Sequence, residues 1–458
     1  MQNMKEVINE QNINKILEKT ISPSPDVVKK ILEKALKKEG LTLQETGYLL
    51  NTEDEELIGK MFQTSNKIKD EIYGERLVLF APFYVSNFCV NDCKYCGFHC
   101  SNPEKRKKLT LEEVKDQVKI LERMGHKRLL LEFGEDPAEN PINYIVDVIK
   151  TIYNTKVGNG EIRRVNVNIA AATVEDYKKL KEAGIGTYQL FQETYHQETY
   201  KEVHKGPKSD YERQLFAHDR AMQAGLNDVG LGVLFGLYNY KFEVLALLSH
   251  SEYLEKKYNV GPHTISVPRF QPAATVNTNF PHEVSEDQLL KIISILRMAV
   301  PYTGLIITTR EKPETRAKAF DIGISQTSAA SSTSPGGYGK EKALEQFSLQ
   351  DSRDMDQILK SILNQNLLPS YCTACYRLNR TGETIMKLIK TGKIHELCRP
   401  NAILTFKEYL EDYASQDVKE LGVKVIQKYL EKISDDQIKK KTLAKLKRIE
   451  NGERDLYF

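Results

Sequence analysis

From residue 76 onward the sequence alternates short apolar runs with charged amphipathic segments, and this alternation restricts the fold more than any other feature. The runs are RLVLFAPFYV, KRLLLEF, RRVNVNIAA, TYQLFQET, DVGLGVLFGL, HTISVPRF, GLIITTR and ISQTSAAS, beginning near residues 76, 127, 163, 187, 228, 263, 304 and 324. Their β-branched and aromatic content reads as strand. Between them lie helix-start signals: Thr110 with Glu113, and Ser285 with Gln288, stand in capping-box spacing. Strands without a polar face that alternate with helices imply a parallel sheet covered on both sides. Eight such units suit closure, so the predicted fold class is α/β, a (β/α)8 TIM barrel. A doubly wound open sheet is the alternative, because strand order is not legible in a sequence.

Three parts follow from this reading. Residues 1–75 are an N-terminal helical segment, with SPDVVKKILEKALKKEG running to Gly40 and a capping box from Thr42 to Glu45 opening the next helix. Residues 76–340 are the barrel, and residues 341–458 are a helical, cysteine-bearing extension. The final Lys/Glu-rich run reads as a solvated helical face.

Charge and cysteine usage narrow the class. With 66 Lys and Arg against 63 Asp and Glu, a net charge of +3 builds no surface for a polyanion, so no nucleic acid is expected. The beginning, MQNMKEVINEQNINKILEK, is polar, and no stretch approaches the roughly 20 apolar residues of a membrane span. A cytoplasmic protein with no membrane contact is expected. Seven cysteines, clustered and odd in number, point to thiolate ligands in a reducing compartment rather than to disulfides.

Four of the seven lie in CVNDCKYCGFHC. Cys89, Cys93 and Cys96 form C-x3-C-x2-C just past the first strand, with Tyr95 before the last of them. Loops that follow barrel strands line the face where chemistry is placed. Three close thiolates can hold three irons of a 4Fe-4S cluster and leave the fourth iron open, whereas electron-transfer clusters have four cysteines. A zinc site completed by His99 or Cys100 is the alternative. Cys372, Cys375 and Cys398 form a second set, C-x2-C-x22-C, whose spacing serves zinc or iron-sulfur equally. Six cysteines thus divide into two triads, and Cys100 is spare.

Other residues are placed by the barrel. His263 opens the sixth run and belongs at the bottom, where imidazole would suit an iron, or would merely cap a strand end. Arg310 ends the seventh run, and its planar fork suits a substrate carboxylate. Ser325, Gln326 and Ser328 could add hydroxyl or amide contacts, with structural capping as the alternative. Two metal sites at opposite ends would require an internal passage through the barrel.

The octapeptide CVNDCKYC resembles the signature of the radical S-adenosylmethionine (SAM) superfamily. The resemblance implies that SAM binds the open iron and is split to a 5′-deoxyadenosyl radical. It implies SAM contacts from Tyr95, from Gly134 and Glu135 of EFGED, from Asn168, and from Glu193 of QLFQETYH. Arg213 would pair with a carboxylate, or else form a surface ion pair.

The second triad, taken with GPHTISVPR, TTRE and ISQTSAASSTSPGGY, is similar to the tyrosine lyases that mature FeFe-hydrogenases. What this implies is cleavage of L-tyrosine to p-cresol and dehydroglycine, and conversion of the latter to CO and cyanide on an iron at a second, auxiliary 4Fe-4S cluster. His263 would bind that extra iron, with free cysteine as a further ligand. An electron donor and other hydrogenase maturation proteins would be partners, in an anaerobic bacterium. Two alternatives stand beside this: the 2-iminoacetate synthase of thiamin thiazole biosynthesis, a tyrosine lyase without the second triad, and a non-enzymatic iron-sulfur or zinc carrier.

Overall fold

Each of the eight apolar runs forms a strand: β1 (Arg76–Ser86), β2 (Arg128–Phe133), β3 (Arg164–Asn168), β4 (Tyr188–Gln189), β5 (Val229–Gly232), β6 (Thr264–Ser266), β7 (Gly304–Ile307) and β8 (Gln326–Ser328). The computed structural model describes residues 3–458 except 274–275, 277–278, 340–342 and 391–393. The strands pair in chain order, all parallel. β8 then returns to β1, with Val78 opposite Gln326 and Phe80 opposite Ser328. The sheet is therefore a closed barrel, and the open doubly wound alternative falls.

Strand alternation explains why both faces of β1 are apolar. Leu77, Leu79 and Ala81 are buried outward against helices, while Val78 and Phe80 point toward the barrel axis. The helices Leu111–Arg123 and Glu286–Ala299 begin at the capping boxes of Thr110 with Glu113 and Ser285 with Gln288. Helix Glu55–Tyr73 lays the N-terminal segment on the barrel beside Glu286–Ala299. The helix expected to run to Gly40 stops at Ala35, because Lys38 and Gly40 turn into the left-handed region at φ 62° and 84°.

The extension contains an element that was not expected. β9 (Leu368–Ser370) adds to the first half of β1, pairing Leu368 with Arg76 and Ser370 with Val78. Three residues are too few to show a strand's alternation, and Pro369 is tolerated because β9 lies at an edge. Its effect is large, since it delivers Cys372 to the barrel floor. Helices Ala374–Arg377, Gly382–Lys390, Ile394–Asp412, Gln416–Glu431 and Asp436–Glu450 follow. Among the described residues no helix is long and apolar enough to cross a membrane.

Candidate active site

The loop after β1 brings Cys89, Cys93 and Cys96 to one cavity at the C-terminal ends of the strands. Backbone hydrogen bonds pin this loop from two sides. Val90 N–H donates to Glu135 O (2.8 Å) and Gly134 N–H to Ser86 O (2.9 Å), while Asp92 and Lys94 donate to Lys205 O and Val203 O (3.2 and 3.0 Å). Gly134 allows the close approach, because a Cβ there would stand 2.3 Å from Phe88 O and 3.1 Å from the Cβ of Cys89. Burial pushes all three thiols up, that of Cys96 to about 11. Without a metal they hold their protons at neutral pH, and metal binding would release them.

Charged groups around the cavity are paired, with one exception. Glu135 accepts from Arg213 Nη2 (2.6 Å) and from Asn91 Nδ2 (2.6 Å). Glu193, in the left-handed region at φ 68°, accepts from Lys208 Nζ at 2.8 Å. Tyr95 donates its hydroxyl to His204 Nε2 at 2.7 Å, because His204 Nδ1 must carry the proton it gives to Tyr200 O (2.8 Å). The guanidinium of Arg310 instead lies over the Phe347 ring at 3.4 Å, and among the described residues no carboxylate forms an ion pair with it. Burial lowers its pKa, which marks a charge poorly compensated by its surroundings.

The inward row formed by Tyr84, Glu132 and Asn168 across β1, β2 and β3 lines the same cavity. Burial raises the Glu132 carboxyl to about 8, with Asn168 and Arg310 opposing the rise. Sequence reasoning passed over Glu132 for its neighbours Gly134 and Glu135. The available signal was an acid at inward parity straight after the apolar run Leu129–Leu131.

The three residues grouped with Arg310 as substrate contacts do not stay together. Ser328 lines the upper cavity, and its Oγ accepts from Thr309 N–H at 3.1 Å. Ser325 is 1% exposed and its Oγ accepts from Leu305 N–H at 3.2 Å, so its hydroxyl serves the backbone between strands. Gln326 points inward but at the floor, in a second cavity.

That second cavity, at the N-terminal ends of the strands, is lined by Cys372, Cys375, Cys398 and His263. His263 N–H donates to Val229 O (2.8 Å) at the entry to β6, and its Nε2 lies 3.2 Å from the Tyr376 hydroxyl. Burial lowers its pKa, leaving a neutral imidazole with a lone pair for a metal. Burial raises Cys372 and takes Cys375 to about 12. Arg76, Arg128 and Arg164, the first residues of β1, β2 and β3, ring this floor. Each has a buried Nε without a hydrogen-bond partner, and none has a carboxylate ion-pair partner among the described residues. Buried cations beside thiols, with no carboxylate paired to them among the described residues, favour negative charge at this place. An arginine within the first two positions of each of the first three strand runs was the overlooked signal.

The two triads thus occupy opposite ends of one barrel. The upper cavity descends to Phe80, Leu130 and Ile306, which touch one another across the axis. The lower one rises to Val78, Arg128 and Gly304, the next inward positions on the same strands. The expected passage is therefore two cavities parted by one side-chain layer. Among the described residues no three His, Cys, Asp or Glu side chains converge on a point that would ligate a single ion.

The profile of the Radical SAM superfamily matches residues 83–248, and that of the Biotin and Thiamin Synthesis associated domain matches residues 266–368. A crystal structure of HydG, a maturase of the [FeFe]-hydrogenase, is 55% identical and superposes with a TM-score of 0.97 over 99% of this chain and 100% of that one. The chain belongs to the radical SAM superfamily, among its HydG-type members. HydG from Carboxydothermus hydrogenoformans is 37% identical, with a TM-score of 0.86 over 97% of this chain and all of its own. The 2-iminoacetate synthase of Salmonella typhimurium is 30% identical over 356 residues, 77% of this chain and 93% of that protein. As a radical SAM enzyme the chain works with a 4Fe-4S cluster and SAM.

Proposed function

We propose that the upper cavity cleaves free L-tyrosine to p-cresol and dehydroglycine, and that CO and cyanide derived from the latter are gathered on an iron in the lower cavity for the FeFe-hydrogenase active site. Two three-cysteine cavities at opposite ends of one barrel, the upper one holding an arginine that no carboxylate pairs among the described residues, carry this reading. Cys89, Cys93 and Cys96 would hold the first cluster, which together with SAM supplies a 5′-deoxyadenosyl radical. Gly134, Glu135, Asn168, Glu193 and Arg213 would seat SAM, with Tyr95 walling the loop. These assignments extend to the chain the reading of residues 76–340 as the radical domain and 341–458 as the holder of the second site.

Arg310 would clamp the tyrosine carboxylate, pinned from behind by Phe347. Glu132, protonated at neutral pH, leaves that guanidinium uncompensated and does not repel the carboxylate. Ser328 adds a hydroxyl on the same wall. Closure of this apolar, half-enclosed space around the amino acid would keep water from a reactive intermediate.

In the lower cavity Cys372, Cys375 and Cys398 would hold the auxiliary 4Fe-4S cluster, leaving one corner vacant. His263 offers a neutral nitrogen to the extra iron, with free cysteine as a further ligand, while Arg76, Arg128 and Arg164 offset the negative charge collected there. Small fragments would pass the layer at Phe80, Leu130 and Ile306 as those side chains shift. An electron donor and the other maturation proteins remain partners of this reading.

The test is anaerobic reconstitution with iron, followed by SAM, reductant and tyrosine. Native protein should yield 5′-deoxyadenosine, p-cresol and CO, and the variant with Cys372→Ala and Cys375→Ala should keep the first two and lose CO. Native protein that makes p-cresol but no CO would favour a 2-iminoacetate synthase activity. Absence of all three products would sink the proposal.

A further inference from the structure

One cysteine of the second triad sits on an element too short to hold itself. Cys375 lies on Ala374–Arg377, a single helical turn, and such a turn has no stability of its own in water. Cys398 lies on another helix, Ile394–Asp412. Residues 454–458 join the two. Arg454 grips Asp412 with two nitrogens (2.7 and 2.6 Å). Asp455 receives both outer nitrogens of Arg377, lies 3.2 Å from Arg163 Nε at the start of β3, and donates its N–H to Glu408 Oε2 at 3.0 Å.

Phe458 then bridges the cysteine-bearing elements directly. Its N–H donates to Asn401 Oδ1 at 2.8 Å, three residues beyond Cys398. Its carbonyl accepts from Arg380 Nη1 at 3.2 Å, and Arg380 both lines the cavity and donates its own N–H to Cys375 O at 2.7 Å. Asp455 holds a left-handed backbone at φ 62°, a costly conformation for a non-glycine residue that persists where the surroundings over-determine it. Charge, backbone and strain all converge on five residues.

We infer that residues 454–458 are a strap that holds Cys375 and Cys398 at the spacing of a cluster, so that the lower site keeps its iron only while the strap is docked. Asp455 is its central positioning residue. No residue of the strap lines the upper cavity, so it governs retention at one site alone. The inference rests on the proposed reading of the second triad as an iron-sulfur site.

The experiment compares the full-length reconstituted protein with Asp455→Asn, which keeps the shape and the left-handed preference but removes the charge, and with a chain shortened by residues 454–458. Electron paramagnetic resonance resolves the two clusters, and bathophenanthroline measures iron release. Both variants should lose lower-site iron at least ten-fold faster than native protein, with the upper-site signal and 5′-deoxyadenosine formation unchanged. Arg377→Lys, which keeps the charge and loses the fork, should give an intermediate rate. Native protein with iron at the upper site alone overturns the triad reading and the strap together. Two clusters in native protein, released at the native rate in Asp455→Asn and in the shortened chain, overturn the strap only.

Discussion

Replacing Gly134 by alanine adds one methyl group at the point where β2 meets the loop of the first triad. That methyl carbon would stand 2.3 Å from Phe88 O and 2.9 Å from Phe88 C, where ordinary contact begins at 3.4 Å, so the backbone at Phe88 must yield by about 1.1 Å. No rotamer change relieves it, because both atoms are main chain, and the next residue is Cys89. Overpacking of this kind costs about 1–3 kcal/mol of stability. A displacement of about 1 Å in a reacting group costs on the order of 100-fold in rate. Gly134→Ala should therefore lower the melting temperature, cut upper-site iron occupancy, and reduce 5′-deoxyadenosine formation by about two orders of magnitude. Gly59→Ala is the control, since Gly59 lies inside helix Glu55–Tyr73 with no atom within 4 Å of the added carbon. There the same substitution should stabilise by about 0.5–1 kcal/mol through helix propensity. Thermal melting, iron counting and product analysis on both variants decide the matter. If Gly134→Ala matches native protein in upper-site iron and in 5′-deoxyadenosine, the close approach does not govern the site and the reasoning is refuted.

Two further outcomes are expected. Arg310→Lys loses a bidentate grip on a carboxylate, about 1.5–3 kcal/mol, so p-cresol formation should fall about 10- to 100-fold while the upper-site cluster signal persists; unchanged p-cresol kinetics remove Arg310 from the role. Glu132 holds its proton to about pH 8 in the folded chain, against about 4.3 for a free side chain. The folded state therefore binds the extra proton between those values, and stability falls as pH rises from about 4 to about 8, by at most about 5 kcal/mol. Glu132→Gln should flatten that slope, which melting curves from pH 5 to pH 9 will show.

How far the sequence reaches can be judged at β8. The run ISQTSAAS is legible as a strand, yet its three candidate residues meet three fates. Ser325 has outward parity and serves the backbone, while Gln326 and Ser328 share inward parity but open into different cavities. Parity is a local property of an extended chain, whereas depth along the axis depends on register with β1 and β7, which no single run encodes. Glu132 shows the same limit in another form. Its raised pKa arises from burial within a closed ring of strands, against the opposing pull of Arg310, nearly two hundred residues later in the chain.

By itself the sequence determined what local physics can write: eight strands from β-branched runs, helix starts from capping boxes, and two groups of three thiols from spacing. Only the tertiary structure decided that the sheet closes, that β9 docks on the first half of β1 and carries the later triad to the floor, and that three arginines gather there with no carboxylate ion pair among the described residues. It also decided that five residues at the far end of the chain tie that floor together. These are long-range choices, made where distant segments lose solvent together, and the free energy that selects them belongs to the shared interface and to no segment alone.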